Sequence, residues 1–208
     1  MILALYNLLH IICWPVINIY IALRLKKGKE TPESVKAKKA IFSIPRPEGK
    51  LVWFHAASVG EAVSLIPLLT EIAKLDDVNI MVTSGTLTSA KILKPRLPKN
   101  AFHHPIPFDR PAYISKFLAH FKPDIAMVLE SEIWPNLISL VKKANIPLFL
   151  GSARISPKSR LQWFFYAFFL RGFFQKFDLI IPQDNYTKKQ ISILVDSEKI
   201  TELGNLKT

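Results

Sequence analysis

Two carboxylates stand where an α/β protein does its chemistry. Glu61 closes the stretch Leu51-Val-Trp-Phe-His-Ala-Ala-Ser-Val-Gly-Glu61. Its apolar run, Leu51 to Phe54, reads as a buried parallel strand, and Ala56 to Gly60 as a tight turn of small residues. Glu130 follows Ile125-Ala-Met-Val-Leu129, the clearest buried strand in the chain. A carboxylate directly after an apolar strand is costly to desolvate unless it is paired or working. Within hydrogen-bond reach of a hydroxyl nucleophile, it can take the proton as that oxygen attacks. Structural readings stand beside this one. Ser58 and Glu61 have the S-x-x-E spacing of a capping box, in which the glutamate serves only a backbone donor. Arg154 is a candidate ion-pair partner for Glu130, which would make both structural.

The elements that must position these groups alternate. Glu61 opens an amphipathic helix through Ala62, Val63, Leu65, Ile66, Leu68, Leu69 and Ile72. Further strands are expected at Asn79 to Thr83, Ala101 to Ile106, Pro147 to Leu150, Leu179 to Ile181 and Ile200 to Leu203. Helices are expected from Thr88 to Leu93, Pro111 to Phe121, Pro135 to Ala144, Ser156 to Lys176 and Thr187 to Leu194. Strands alternating with helices argue for an α/β fold with a doubly wound, Rossmann-like parallel sheet. In that layout His55, Ser58 and Glu61, then Ser84 and Thr86, Glu130 and Glu132, Ser152 and Arg154, and Gln183 and Asn185 all leave the carboxyl ends of strands. One edge of the sheet collects them, the edge where such folds bind ligands.

The 28 Lys and Arg against 16 Asp and Glu leave a net charge of +12, which suits a polyanionic partner, nucleic acid or an anionic membrane surface. Nucleic acid is the weaker expectation, because the aromatics form one apolar run instead of interleaving with Lys and Arg. Cys13 is the one cysteine, so no intrachain disulfide and no cysteine metal cluster can form. His55, His103 and His104 match no common metal-ligand spacing.

Met1 to Leu23 carry no Asp, Glu, Lys or Arg, and as one helix would reach about 34 Å, enough for a bilayer core. Arg24, Lys26, Lys27 and Lys29 follow this segment, which is the wrong order for a secretory signal and places the downstream chain on the cytoplasmic side. Asn7, His10, Asn18 and Pro15 leave a monotopic, in-plane anchor as the alternative to a spanning one. The expected organisation is an anchor helix over 1–25, a basic linker over 26–49, an α/β domain over 50–204 and the start of a further linker over 205–208. Lys36, Lys38 and Lys39 of the basic linker are expected near anionic headgroups. Trp163-Phe-Phe-Tyr-Ala-Phe-Phe-Leu170 is apolar on every helical face. Trp163, Phe164, Phe165, Phe168 and Phe169 are expected to touch membrane or lipid; core packing with snorkelling cations is the alternative.

Four motifs then align with a known family: His55-Ala-Ala-Ser-Val-Gly-Glu61, Glu130-Ser-Glu-Ile-Trp-Pro-Asn-Leu137, Ala153-Arg-Ile-Ser156 and Gly204-Asn-Leu-Lys207. In this order they resemble the bacterial 3-deoxy-D-manno-octulosonic acid (Kdo) transferases. The resemblance implies the N-terminal, acceptor-binding half of a GT-B glycosyltransferase. It implies CMP-Kdo as donor, a lipid A precursor as acceptor, and work on the cytoplasmic face of the bacterial inner membrane. It gives Glu61 the role of general base in an inverting transfer and Glu130 an acceptor-positioning role. Ser58 and Gly60 become the tight, anion-favouring turn, and Arg154 and Lys207 become candidates for the Kdo carboxylate or an acceptor phosphate. It implies no metal or cofactor in this half. The nucleotide-binding domain of that family is absent from these residues, so the expectations are a truncated piece of a longer enzyme, a split-gene half with a separately encoded partner, or a noncatalytic lipid-binding module or relic.

Overall fold

The computed structural model describes residues 2–130, 133–155 and 170–202. Strand β1 (Lys50–His55) sits at the centre of a six-stranded sheet with β2 (Val78–Ser84), β3 (Ala101–Pro105), β4 (Ile125–Leu129), β5 (Leu148–Ala153) and β6 (Leu179–Pro182). The spatial order is β3-β2-β1-β4-β5-β6, and every neighbouring pair is parallel. The chain winds outward one way from β1 and then returns to start the other half at β4. That reversal opens a crevice above the carboxyl ends of β1 and β4.

Both faces of the sheet are covered, which is why its strands read as near-continuous apolar runs. On one face Trp53, Val128 and Leu150 pack against Phe117 and Phe121 of helix α7 (Pro111–Phe121) and Leu137 and Val141 of α8 (Pro135–Lys143). On the other, Phe54, Ile80, Val82 and Leu129 meet Ala62 of α4 (Val59–Ser64), Leu69 of α5 (Ile66–Ile72) and Leu93 of α6 (Leu87–Leu93). The single helix expected after Glu61 is thus two. They break at Leu65, because Pro67 has no N–H for the Val63 carbonyl. A last helix, α9, spans Asn185–Ile191.

Gly151 to Ala153, expected as loop, continue β5, and Ile200 makes one isolated parallel bridge to Ile180 where a strand was expected. The supposed linker holds helix α3 (Pro32–Lys38), with reciprocal Thr31 and Ser34 capping. Lys38, expected at headgroups, is buried: its ammonium donates to Glu30 at 2.6 Å and to the Gly85 carbonyl at 2.8 Å. Glu30 also accepts from Ser34 at 2.7 Å and from Arg24 at 3.1 Å, so the desolvated charge is compensated on all sides.

The expected anchor helix is likewise two, α1 (Ile2–Ile12) and α2 (Trp14–Lys26), bent by 60° at Cys13. Pro15 in the first turn of α2 leaves the Ile11 carbonyl without its donor, which is where a helix kinks. No single helix among the described residues is long and apolar enough to cross a membrane; by length and composition the bent pair is. The apolar segment Trp163, Phe164, Phe165, Phe168 and Phe169 lies outside the described residues, as do Ser131, Glu132 and the Gly204–Lys207 motif. The helical residues 170–174 that follow this segment deliver Phe173 and Phe174 into the core.

Candidate functional site at the β1–β4 crevice

Glu61 is held at the head of α4. Ser58 is the N-cap, and its hydroxyl accepts from the Glu61 N–H at 3.2 Å. The carboxylate of Glu61 turns back toward β1 and accepts from the Ala57 N–H at 2.9 Å, leaving the residue only 5% exposed. An N–H donor complements an ionised carboxylate and fixes its rotamer. Helix α4 has six residues, and little macrodipole stands behind the anion affinity expected of its start. A Cβ built on Gly60 would meet nothing nearer than the Ser58 hydroxyl at 4.0 Å, so packing within the chain does not require glycine there.

Across the crevice, β4 ends in a strained residue. Glu130 has φ 56°, in the left-handed region, while its N–H donates to the Gly151 carbonyl at 2.9 Å. Such a backbone costs about 1–2 kcal/mol in a residue with a Cβ. Next to it Ser152 is also left-handed, at φ 47°, where the β5–β6 register slips between Leu150 and Ala153. Gly151 is closely approached: a Cβ there would lie 3.0 Å from both Leu129 Cδ2 and Met127 Sδ, which would have to shift. Arg154 follows, exposed, at the end of β5. Glu130, Ser152 and Arg154 therefore share one corner of the sheet, whereas Lys207 lies outside the described residues.

His55 forms the floor between these carboxylates and is 1% exposed. Its Nδ1 lies 3.2 Å from the Thr83 carbonyl and 3.0 Å from Thr83 Oγ1. That hydroxyl accepts from Trp53 Nε1 at 2.9 Å and donates to the Phe54 carbonyl at 3.3 Å. Both groups facing Nδ1 are therefore acceptors, which puts the proton on Nδ1 and a lone pair on Nε2. Burial pushes the imidazole down to about 4, opposed in part by the Thr83 carbonyl, so it is neutral at pH 7. Nε2 has no hydrogen-bond partner, and the ring packs edge-to-face with Trp134 at 5.3 Å. Ser152 Oγ, Gln183 Oε1 and Tyr186 Oη are likewise buried without a partner. Unsatisfied buried polar atoms are rare in folded proteins, and these four lie on segments leaving the carboxyl ends of β1, β5 and β6.

His103 and His104 are elsewhere. On β3, His103 Nε2 is 2.8 Å from Ser84 Oγ, and His104 Nδ1 donates to the Pro105 carbonyl at 2.7 Å. Burial holds them at about 3 and about 4, with Lys94 reinforcing the shift on His103. No three metal-ligating side chains converge among the described residues.

One residue with structural authority escaped the sequence reading. Asp109 is buried; one carboxylate oxygen accepts from the Leu137 N–H at 2.8 Å, the other from the Asn136 N–H at 3.1 Å. It caps α8 from a distant loop. The available signal was Trp134 at the N-cap, which has no side chain able to cap, so the donors of α8 had to be met from elsewhere.

The sheet order and the crevice define the class: a doubly wound, Rossmann-like α/β domain with its ligand edge between β1 and β4. Solved structures of two UDP-N-acetylglucosamine 2-epimerases have the same fold. The one from Neisseria meningitidis has a TM-score of 0.54 at 15% identity, over 76% of this chain and 47% of that one. The other also has a TM-score of 0.54, at 14% identity, over 78% of this chain and 47% of its own.

Residues 29–208 match the family described as 3-Deoxy-D-manno-octulosonic-acid transferase (kdotransferase), and the chain belongs to that family. The 3-deoxy-D-manno-octulosonic acid transferase of Rickettsia bellii is 38% identical over 202 residues, covering 96% of this chain and 46% of that protein. The Haemophilus influenzae transferase is 30% identical over 207 residues, covering 97% and 48%. A probable mitochondrial one from Arabidopsis thaliana is 36% identical over 150 residues, covering 72% and 34%. The chain thus spans less than half the length of these relatives.

Proposed function

We propose that this chain is the acceptor-binding half of a GT-B Kdo transferase, moving Kdo from CMP-Kdo to a lipid A precursor at the cytoplasmic face of a bacterial inner membrane. The observation that carries the reading is Glu61. In a chain of this family, a carboxylate fixed by the Ala57 N–H stands at the switch point of the sheet, opposite Glu130. The acceptor's sugar hydroxyl approaches Glu61, which removes its proton as the oxygen attacks the anomeric carbon, a contribution of about 10²–10⁴-fold. CMP leaves with its phosphate from the opposite face, inverting that carbon, and needs no second carboxylate as acid. Glu130, with its backbone strain, orients the acceptor; Arg154 and Lys207 answer the Kdo carboxylate or an acceptor phosphate. Ser58 holds the turn, and the open space over Gly60 admits the substrate. Trp163, Phe164, Phe165, Phe168 and Phe169 guide acyl chains.

The test supplies CMP-Kdo and lipid acceptor to the full chain, alone and with a donor-domain half expressed separately. Transfer with the added half, lost on Glu61→Gln while acceptor binding is kept, supports the proposal. Equal transfer by Glu61→Gln removes Glu61 from the chemistry. Acceptor binding with no turnover in either case leaves a noncatalytic lipid-binding module.

A further inference from the structure

The connection over 130–134 leaves β4 at the ligand edge of the sheet and runs into α8. At its first residue the Glu130 N–H is tied to the Gly151 carbonyl at 2.9 Å. At its last, the Trp134 ring packs edge-to-face on His55 at 5.3 Å. Trp134 is also the N-cap of α8, and its side chain makes no capping hydrogen bond. The first N–H groups of that helix must therefore find acceptors elsewhere.

They find Asp109, in the loop between β3 and α7. One carboxylate oxygen takes the Leu137 N–H at 2.8 Å and the other the Asn136 N–H at 3.1 Å. Asn136 answers through its side chain, Nδ2 donating to the Asp109 carbonyl at 2.7 Å. Helix α1 then closes the node. Tyr6 Oη donates to Asp109 Oδ2 at 3.1 Å, and Asn7 Oδ1 accepts from Asn136 Nδ2 at 2.8 Å. Asp109 is 6% exposed and Asn136 1%. A carboxylate so deeply buried and held by three donors keeps one rotamer. The cap itself needs only Asp109 and the two backbone donors. Tyr6 and Asn7 come from 103 and 129 residues away to add to it. Apolar packing alone would leave α1 free to slide against α8, whereas a satisfied buried network fixes one arrangement.

We infer that Asp109 is a positioning residue for the β1–β4 crevice. With Tyr6 and Asn7 it pins the start of α8, and through it the place of Trp134 against His55 and of the connection that begins at Glu130. Helix α1 is thereby part of the framework of the site. The pinning stands on these hydrogen bonds alone. Its effect on transfer rests on the function proposed above, in which a misplacement of about 1 Å can cost about a hundredfold.

The test labels the full chain with 5-fluorotryptophan and assigns the Trp134 resonance with Trp134→Phe. Tyr6→Phe/Asn7→Ala removes both α1 contacts and leaves the cap of α8 whole; Asp109→Asn weakens the cap itself. The fluorine signal of Trp134 should shift and broaden in the double variant and more so in Asp109→Asn. Asp124→Ala, which loosens the amino edge instead, should leave it in place and so separates positioning from general loss of stability. With a donor-domain half added, the double variant should lower kcat/KM for the lipid acceptor about tenfold and leave KM for CMP-Kdo unchanged. A Trp134 signal unmoved in the double variant would overturn the proposal, and so would an equal disturbance in Asp124→Ala. A moved signal with kcat/KM unchanged would reduce the node to a structural clip and overturn it too. If Asp109→Asn does not fold, the double variant decides alone. The fluorine readout involves no turnover, so it fails separately from the transfer assay.

Discussion

The two edges of the sheet are built on opposite rules. At the amino edge two carboxylates are committed. Asp124 accepts from the Leu51 N–H at 2.8 Å and pairs with Arg46 and Lys50, both at 3.4 Å, tying the loop before β4 to β1. Asp178 does the same for β5, accepting from the Leu148 N–H at 2.9 Å and pairing with Lys142. At the carboxyl edge Glu130 and Ser152 hold left-handed backbones, and His55 Nε2, Ser152 Oγ and Gln183 Oε1 have no partner. Left-handed residues also stand before β2, β4 and β5, at Asp77, Lys122 and Asn145, so what separates the edges is the unmet buried acceptors and not strain.

The sharpest way to break this contrast is at Glu61. Glu61→Gln keeps the shape and should lower transfer by about 10²–10⁴-fold, with the thermal midpoint nearly unmoved. The mirror experiment is Asp124→Ala, which strands the Leu51 N–H and two cations. It should cost about 1–2 kcal/mol in urea unfolding, with transfer per folded molecule unchanged. A loss of activity there would mean that the amino edge is not merely structural.

Acid should separate the edges in order. His55, His103 and His104 are held at about 4, 3 and 4, below their ordinary 6.5. The unfolded chain therefore takes up protons that the folded one refuses. Stability is fully present above pH 6.5 and is lost as the pH falls toward about 4. Asp124 is held below its ordinary 3.8, first by the Leu51 N–H, so its contribution survives that window and is lost only at lower pH. Urea midpoints across this range should fall first with the histidines, and a His55→Gln/His103→Gln/His104→Gln variant should flatten the upper part of the curve. The smallest effect is Glu130→Gly. Relief of the left-handed strain, offset by glycine's chain entropy, should change stability by about 1 kcal/mol or less, while transfer falls because the acceptor loses its positioning carboxylate.

Where the chemistry was local, the sequence displayed it. The apolar runs at Leu51–Phe54 and Ile125–Leu129 and the Pro111 helix start appear where expected, since each rests on neighbours in the chain. The capping pair Ser58 and Glu61 was legible too, although Glu61 turns to Ala57. The hidden parts involve partners far away in sequence. Lys38 was expected at anionic headgroups because nothing local announces the Gly85 carbonyl, 47 residues away, that accepts from it alongside Glu30. Asp109 escaped notice because its contacts lie 27, 28 and 103 residues away. His55 was one more polar residue at a strand end until burial made it neutral.

By itself, then, the sequence determined the alternation of strands and helices, the edge that would gather the polar groups, and the family. Periodicity, glycine and proline placement and short motifs are written within a few residues of one another. Only tertiary structure decided that the N-terminal segment folds as two docked helices, that Asp124 and Asp178 stitch the amino edge while buried acceptors at the carboxyl edge stay unmet, and which nitrogen of His55 keeps its lone pair. Those outcomes depend on desolvation and on hydrogen bonds between strands and loops brought together only when the sheet closes.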